Sequence, residues 1–272
     1  MNAIDAAFER LKTGNKKAFI PFIAAGDPDI ESTKELAKTL AKNGASIIEI
    51  GFPYSDPIAD GPVIQAAYTR ALNKGLKIEH ILKAIAEVSL DLEKEKILVP
   101  FVAMVSMSII HRFGKDKFIE GCLKAGFSGL IIPDLPVEES LEIAKDLKKA
   151  GLSLILLVTP NTPKERALLI LSACSGFVYC VSVSGITGER DKIPEELLKN
   201  LAWLRKQTPL PLCVGFGISK PEHAKVLRDH ADGVIVGSAI VKHIETAEKV
   251  GLPAVKTAIA TLAESLVSAL NS

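Results

Sequence analysis

The stretch AFIPFIAAGDPDIESTKELAKTLAKNGASIIEIG, residues 18–51, contains the unit that decides the fold. It begins with an apolar run at residues 18–26 and ends with a second one at residues 46–51. Between them, a segment of helical period places five residues on one face: Thr33, Leu36, Ala37, Leu40 and Ala41. The stretch therefore predicts a strand, a covering helix and a second strand.

The same alternation continues to the end of the chain. Six further apolar runs follow, at residues 97–105, 128–134, 152–160, 176–185, 210–217 and 232–238. The runs are mostly continuous, which is typical of strands in a parallel sheet covered by helices. Eight strand-to-helix alternations in 272 residues predict a single-domain (β/α)8 TIM barrel over residues 1–272. Such barrels commonly use about 250 residues.

An open, doubly wound sheet is the alternative architecture. It would predict a glycine-rich dinucleotide loop after the first strand, but the segment AAGDPDIES in that place lacks the GxGxxG pattern. Two further helices are predicted to cap or flank the barrel. One precedes the first strand, with Ile4, Phe8 and Leu11 on its apolar face, and the other covers residues 255–270.

Composition excludes several classes of function. Lys and Arg number 33 against 32 for Asp and Glu, without a basic block, so the charge pattern of a nucleic-acid binder is missing. The N-terminus lacks the apolar core of a signal peptide, and no apolar run approaches the ~18 residues of a membrane span. The four cysteines form no CxxC pair and the five histidines no metal-like grouping. We expect a cytoplasmic protein without a metal site that acts on a small molecule.

The stretch IIEIGFPYSDPIADGP, residues 47–62, places acidic residues where a strand ends. Glu49 is enclosed by apolar neighbours on both sides, so it is either a structural carboxylate with a partner or a general acid/base whose pKa burial raises. Asp60 precedes a glycine, which is common in turns, but it shares one loop with Glu49. Two carboxylates in different environments would suit acid/base catalysis.

Glycines follow the last three predicted strands. They occur in SGITG (residues 184–188), GFGIS (residues 215–219) and GSA (residues 237–239). Loops in these positions of a barrel often bind phosphate through backbone N–H groups, because glycine lets the backbone approach closely. The pattern favours a phosphorylated small-molecule ligand.

Several motifs together resemble the tryptophan synthase alpha chain family. They are IIEIGFPYSDPIADGPVIQ (residues 47–65), PFIAAGDP (21–28), IIPDLPVEE (131–139), YCVSVSGITG (179–188), GFGIS (215–219) and VGSAIV (236–241). The resemblance covers essentially the whole chain. It implies retro-aldol cleavage of indole-3-glycerol phosphate to indole and glyceraldehyde 3-phosphate, without a metal or organic cofactor in this chain.

The resemblance also implies roles for individual residues. Glu49 is the implied proton shuttle, and Asp60 the group that bonds the indole N–H. The implied phosphate ligands are the backbone N–H groups of Gly188, Gly217 and Ser238, with Gly237 in the same loop as Ser238.

Further implied contacts involve side chains around the substrate. Phe22, Ile131 and Phe216 would touch the indole, although core packing explains each of them equally well from the sequence. Tyr179 would stand near Glu49. Thr187 lies in the loop that the family closes over substrate, where its hydroxyl would bond Asp60.

A beta chain is the partner that the resemblance implies, in an alpha2-beta2 heterotetramer in which pyridoxal phosphate belongs to the beta chain. The loop FPYSDP (residues 52–57) would face that partner. One segment departs from the family pattern: many relatives carry a stretch like MTYYNP where this chain reads MVSMSII (residues 104–110). We expect a reshaped pocket wall there.

Two other functions remain open on the sequence. One is a different phosphate-binding barrel enzyme, an isomerase or synthase, which commonly needs lysines at strand ends. The strand-like runs contain none. The other is an interaction subunit that activates a partner and performs little chemistry itself.

Overall fold

The computed structural model describes residues 2–57, 60–182, 193–215 and 217–272. Within these ranges nine strands form one sheet in the order β5-β4-β3-β2-β1-β9-β8-β7-β6, and the paired neighbours run parallel. The strands are β1 Ala18–Ala24, β2 Ile48–Gly51, β3 Phe101–Met104, β4 Phe127–Ile131, β5 Ser153–Ile155, β6 Leu157–Val158, β7 Val178–Val181, β8 Leu212–Gly215 and β9 Gly233–Val236.

Strands β5 and β6 close the barrel because they are two halves of one extended segment. Leu156 alone separates them, and its carbonyl accepts a hydrogen bond from the Tyr179 N–H at 3.1 Å. The first half pairs with β4 and the second half with β7. Eight extended segments therefore surround the interior, one for each predicted apolar run, and the predicted TIM barrel is confirmed.

Helices cover the outside of the sheet and cap its ends. In the described part of the chain they are α1 Ala3–Thr13, α2 Ile30–Lys42, α3 Pro62–Asn73, α4 Ile78–Lys94, α5 Met107–Phe113, α6 Lys115–Ala125, α7 Val137–Lys149, α8 Lys164–Ala173, α9 Glu195–Leu204, α10 Pro221–Leu227, α11 Ser238–Glu245, α12 Ala247–Val250 and α13 Leu252–Asn271. Both predicted extra helices, α1 and α13, are present.

Helix α1 closes the N-terminal end of the barrel. Ile4 and Phe8 are buried among interior side chains, and the Phe8 ring lies 5.9 Å from the Phe177 ring. The Asn2 side chain accepts the Ile4 N–H at 2.9 Å and donates at 2.8 Å to the carbonyl of Ser128, the second residue of β4. The interior is therefore filled at this end, which leaves the other end of the strands for a pocket.

A buried ion pair ties three elements together near that other end. The Arg70 guanidinium on α3 donates two hydrogen bonds of 2.8 Å to Asp27, in the loop after β1. Asp27 is only 1% exposed. Another guanidinium nitrogen of Arg70 lies 3.6 Å from Glu245, the last residue of α11. The loop after β1, α3 and α11 are thus held in a fixed arrangement.

Replacing Arg70 by Met should therefore lower the free energy of unfolding by about 3–5 kcal/mol, because it leaves a buried carboxylate without its partner. Urea unfolding measures this change. The matched control is Arg166→Met, since Arg166 also forms an ion pair with a carboxylate, that of Glu138. Both of these side chains are exposed, and exposed ion pairs contribute only about 0–1 kcal/mol. Equal effects of the two substitutions would contradict the prediction.

Candidate active site

A pocket that is partly open to solvent lies at the carboxyl ends of the strands. Its lining comes from segments that are far apart in the sequence, including Glu49 on β2, Asp60 before α3 and Tyr179 on β7. On its other side lie Gly217, after β8, and Ser238, at the start of α11. This is the end of the barrel where active sites of the fold occur.

The alternation of strand β2 directs Glu49 into the barrel. Ile48 and Ile50 belong to the apolar cluster between the sheet and the helices, whereas Ile47 belongs to the interior cluster. Because successive side chains of a strand point to opposite faces, Glu49 shares the inward face with Ile47. Glu49 is 1% exposed, and its Oε2 has no hydrogen-bond partner among the described residues.

Burial gives the two carboxyl groups different pKa values. The pKa of Glu49 is raised from 4.5 to about 8, mainly by loss of solvation and further by the nearby charge of Asp60. Burial also raises the pKa of Asp60 from 3.8 to about 6. At neutral pH Glu49 therefore holds its proton, while Asp60 is mostly ionised.

Phe22 and Tyr68 approach this acidic end closely because Gly51 has no side chain to exclude them. A side-chain atom at Gly51 would lie 2.5 Å from the Phe22 ring and 2.6 Å from the Tyr68 hydroxyl. Phe22 lies opposite Glu49 in the register of β1 and β2. The Tyr68 hydroxyl is buried without a hydrogen-bond partner in the described part of the chain, and loss of solvation raises the pKa of Tyr68 well above 10. The acidic end is thus dry and aromatic.

Tyr179 lines the pocket together with Glu49. It is 6% exposed, and its ring occupies the space that a side chain at Gly215 would need. Its pKa is raised well above 10, by burial first and then by the charge of Glu49. The structure thus brings Tyr179 and Glu49 together.

The opposite end of the pocket consists of backbone-rich loops. Gly217 has a φ of +78°, a conformation that suits glycine. Gly237 lies next to Ser238, where α11 begins, so the free N–H groups of the first helical turn lie at the pocket. Lys242 lines the same end. N–H groups, a helix N-terminus and a cation suit an anionic ligand.

Not every predicted residue lines the pocket. Ile131 is fully buried in the interior cluster and is not among the lining residues. Thr187, Gly188 and Phe216 lie outside the described residues.

The segment at residues 104–110 contributes Met104 to the pocket wall. Ser106 instead caps α5 and donates to Asp134 at 2.6 Å, with the Ser108 hydroxyl 2.7 Å away. Ser106 and Ser108 therefore serve local structure. Of residues 104–110, which are all described, only Met104 lines the pocket.

Sequence reasoning missed several residues of the pocket. Ile64 lines it, whereas Tyr68 does not line it but packs against Gly51, and both belong to the buried face of α3. Ile64 and Tyr68 follow Asp60 by four and eight residues, and this helical spacing was the available signal. Ser219, in the loop after β8, also lines the pocket, but nothing in the sequence separated it from an ordinary turn serine.

Within the described ranges, no group of three or more His, Cys, Asp and Glu side chains could hold a metal ion. None of the helices in this part of the chain combines the length and apolar character that crossing a membrane requires.

The fold and the pocket define a TIM barrel with an acidic end and an end whose groups suit an anion, a class that suits acid/base chemistry on a phosphorylated compound. Residues 8–269 match the family described as Tryptophan synthase alpha chain. The tryptophan synthase alpha chain of Rhodopirellula baltica is 46% identical over 263 residues, which cover 95% of this chain and 94% of the relative. This chain belongs to the tryptophan synthase alpha chain family, whose reaction is the cleavage of indole-3-glycerol phosphate in tryptophan biosynthesis.

Solved structures agree with this assignment. The crystal structure of the tryptophan synthase alpha chain from Legionella pneumophila is similar to this chain with a TM-score of 0.86 and 36% identity, covering 99% of this chain and 97% of that one. A structure of tryptophan synthase from M. tuberculosis in an aminoacrylate-bound form matches with a TM-score of 0.85 and 28% identity, over the full length of both chains.

The pKa of Glu49 predicts how stability depends on pH. Because the folded-state pKa of about 8 lies above the ordinary 4.5, the folded chain binds more protons than the unfolded chain between these values, and the free energy of unfolding falls as pH rises. In the Glu49→Gln variant this fall in stability with rising pH should be absent, because glutamine does not ionise. At about 1.4 kcal/mol per pKa unit, the variant should gain up to about 5 kcal/mol over the wild type from about pH 5 to about pH 9.

Urea unfolding of both proteins across this pH range measures the difference. Glu79→Gln is the control, because Glu79 is exposed on α4 and its replacement should leave the pH dependence unchanged. Parallel stability curves for Glu49→Gln and the wild type would show that Glu49 is not held protonated by the fold.

Proposed function

We propose that Glu49 and Asp60 perform the retro-aldol cleavage of indole-3-glycerol phosphate in this pocket, and that the chain acts as a carbon–carbon lyase. The observation that carries the proposal is the buried carboxyl of Glu49, whose pKa of about 8 keeps a proton available at neutral pH. A general acid/base works best when its pKa lies near the working pH.

The reaction needs two proton movements that one carboxyl can supply. Glu49 first donates its proton to C3 of the indole, which converts the ring into an iminium-like electron sink. The bond between C3 and the glyceryl carbon then breaks, and its electron pair returns to the ring. The glyceryl hydroxyl becomes the aldehyde of glyceraldehyde 3-phosphate, and its proton passes to the Glu49 carboxylate. Glu49 ends protonated, so no cofactor is required for the balance, and we propose that the chain uses none.

Asp60 supplies a charge where the reaction develops one. With a pKa of about 6 it is mostly ionised at neutral pH, so it can accept the indole N–H and stabilise positive charge on the ring. The dry surroundings strengthen this interaction relative to water. Phe22 and Ile64 would contact the indole faces, and the loops at Gly217 and Ser238 would hold the phosphate.

Indole release tests the proposal directly. Wild-type chain should release indole from indole-3-glycerol phosphate, and Glu49→Gln should lower kcat by about 10² to 10⁴-fold, the usual contribution of a general acid/base. Because the pocket is unchanged in shape, the variant should still bind a phosphorylated substrate analogue. The Glu79→Gln protein serves as the matched control. A Glu49→Gln protein with near wild-type turnover would refute the role of Glu49.

We also propose that the chain works with a beta chain in an alpha2-beta2 assembly in the cytoplasm, and that pyridoxal phosphate belongs to that partner. The similarity to tryptophan synthase from M. tuberculosis supports this. The loop FPYSDP, residues 52–57, is a candidate docking surface, since Ser55 and Asp56 are exposed in it. Adding a beta chain to the indole-release assay should raise the rate; an unchanged rate would argue against coupling.

The pKa values predict a bell-shaped pH profile for kcat/KM. Activity should rise through about pH 6 as Asp60 ionises and fall through about pH 8 as Glu49 loses its proton. Asp60→Asn should remove the acidic limb and lower activity, while the alkaline limb stays. Initial rates of indole release from about pH 5 to about pH 9 measure both limbs. A profile that is flat on the alkaline side would contradict the assignment of Glu49 as the acid.

A further inference from the structure

Four buried side-chain polar atoms in the described part of the chain lack a hydrogen-bond partner. One is Glu49 Oε2, at the acidic end of the pocket, and a second is the Tyr68 hydroxyl, which packs against Gly51. The other two, Ser219 Oγ and His223 Nε2, lie together beyond β8. Because native proteins satisfy nearly all buried polar groups, an atom of this kind at a pocket wall is a candidate contact for a ligand.

Ser219 is placed to meet such a ligand. It lines the pocket in the same stretch as Gly217, and Gly237 and Ser238 line the same pocket. The ligand of this end should be anionic, because Lys242 is the one cationic residue in the described lining and both carboxylates belong to the other end. Lys242 follows Ser238 by four residues on α11, so its side chain leans toward the N-terminus of that helix and toward the pocket.

His223 fixes the backbone of Ser219. The Ser219 N–H donates to His223 Nδ1 at 3.5 Å, and His223 is 3% exposed on α10. Since Nδ1 accepts this bond, a neutral imidazole carries its proton on Nε2. Packing around the buried His223 ring holds the ring in place. Its hydrogen bond with the Ser219 N–H then restrains the loop that bears the serine hydroxyl.

We propose that the Ser219 hydroxyl donates a hydrogen bond to the phosphate of the substrate, and that His223 is a positioning residue that holds Ser219 for this contact. The inference rests on the proposed function, because that function supplies the phosphate. It adds a side-chain donor to the backbone N–H groups already assigned to this end, and it makes the loop after β8 a determinant of selectivity for phosphorylated substrates.

Ser219→Ala tests the direct contact. It should weaken binding of glycerol 3-phosphate, measured by isothermal titration calorimetry, by about tenfold, as expected for loss of a hydrogen bond to a charged group. It should raise KM for indole-3-glycerol phosphate by a similar factor and leave kcat within about twofold. Ser219→Thr keeps the hydroxyl and should keep the affinity within about threefold. Ser140→Ala is the control, because Ser140 is a buried serine whose hydroxyl bonds the Val137 carbonyl on α7.

The positioning role of His223 needs its own pair of variants. His223→Leu removes the acceptor for the Ser219 N–H and should raise KM by about threefold to tenfold with little change in kcat. His223→Asn places an amide oxygen near the position of Nδ1 and should restore KM. A general loss of structure would instead lower kcat and the unfolding midpoint in both variants.

The outcomes separate this inference from the proposed function. Glycerol 3-phosphate binding that is equally tight in Ser219→Ala and wild type, or undetectable in wild type, overturns the inference whatever the turnover. A wild-type protein that binds glycerol 3-phosphate through Ser219 but releases no indole refutes the proposed function and leaves the phosphate contact in place.

Discussion

The pocket depends on the burial of one carboxyl group, that of Glu49, inside the mouth of a closed barrel. The inward position on β2 follows from strand alternation, and the dryness around it follows from Phe22, Tyr68 and Tyr179. Those rings fit only because Gly51 and Gly215 have no side chains. The raised pKa is thus a product of packing by strands β1, β2, β7 and β8 together, since no local feature of the sequence around Glu49 would remove its solvation.

The barrel also separates opposite chemical needs within one pocket. Proton transfer needs a dry carboxyl pair, and phosphate binding needs N–H groups and positive charge, which would lower the pKa of a carboxyl close by. Glu49 and Asp60 come from β2 and the loop that follows it, whereas Gly217, Ser238 and Lys242 come from the loops and helix after β8 and β9. The Asp27–Arg70 pair, with Glu245 beside it, fixes α3 relative to α11 and so joins the two ends.

Much of the fold could be predicted because its signals are local. Each apolar run became an extended segment, and the face with Leu36 and Leu40 became the buried face of α2. Boundaries were less predictable: the third run begins at residue 97, but β3 begins at Phe101, after Pro100, which has no N–H to offer a sheet. The break at Leu156 depends on how neighbouring strands pair, which the sequence of that segment does not encode.

The candidate site was predictable where a residue violated its local pattern. Glu49 in an apolar run was such a violation, and its location in the pocket agrees with the prediction. Tyr68, Ser219 and His223 violated nothing, since each looks like an ordinary core or turn residue. They became visible only as partnerless polar atoms, a property that three-dimensional packing creates. The roles proposed from the family motif for Thr187, Gly188 and Phe216 stay predictions, because these residues lie outside those described.

Unsatisfied polar atoms and raised pKa values have the same physical origin in this pocket. Each is a group that the fold buries without a full set of partners, which costs stability in the absence of substrate. In the proposed reaction, substrate supplies the missing partners: the indole ring and its hydroxyl side chain for Glu49, and the phosphate for Ser219. Both ends of the pocket would then gain interactions on binding that the empty protein lacks. Binding free energy at the phosphate end can thereby hold C3 of the indole against the Glu49 proton, which is how a remote contact contributes to the chemical step.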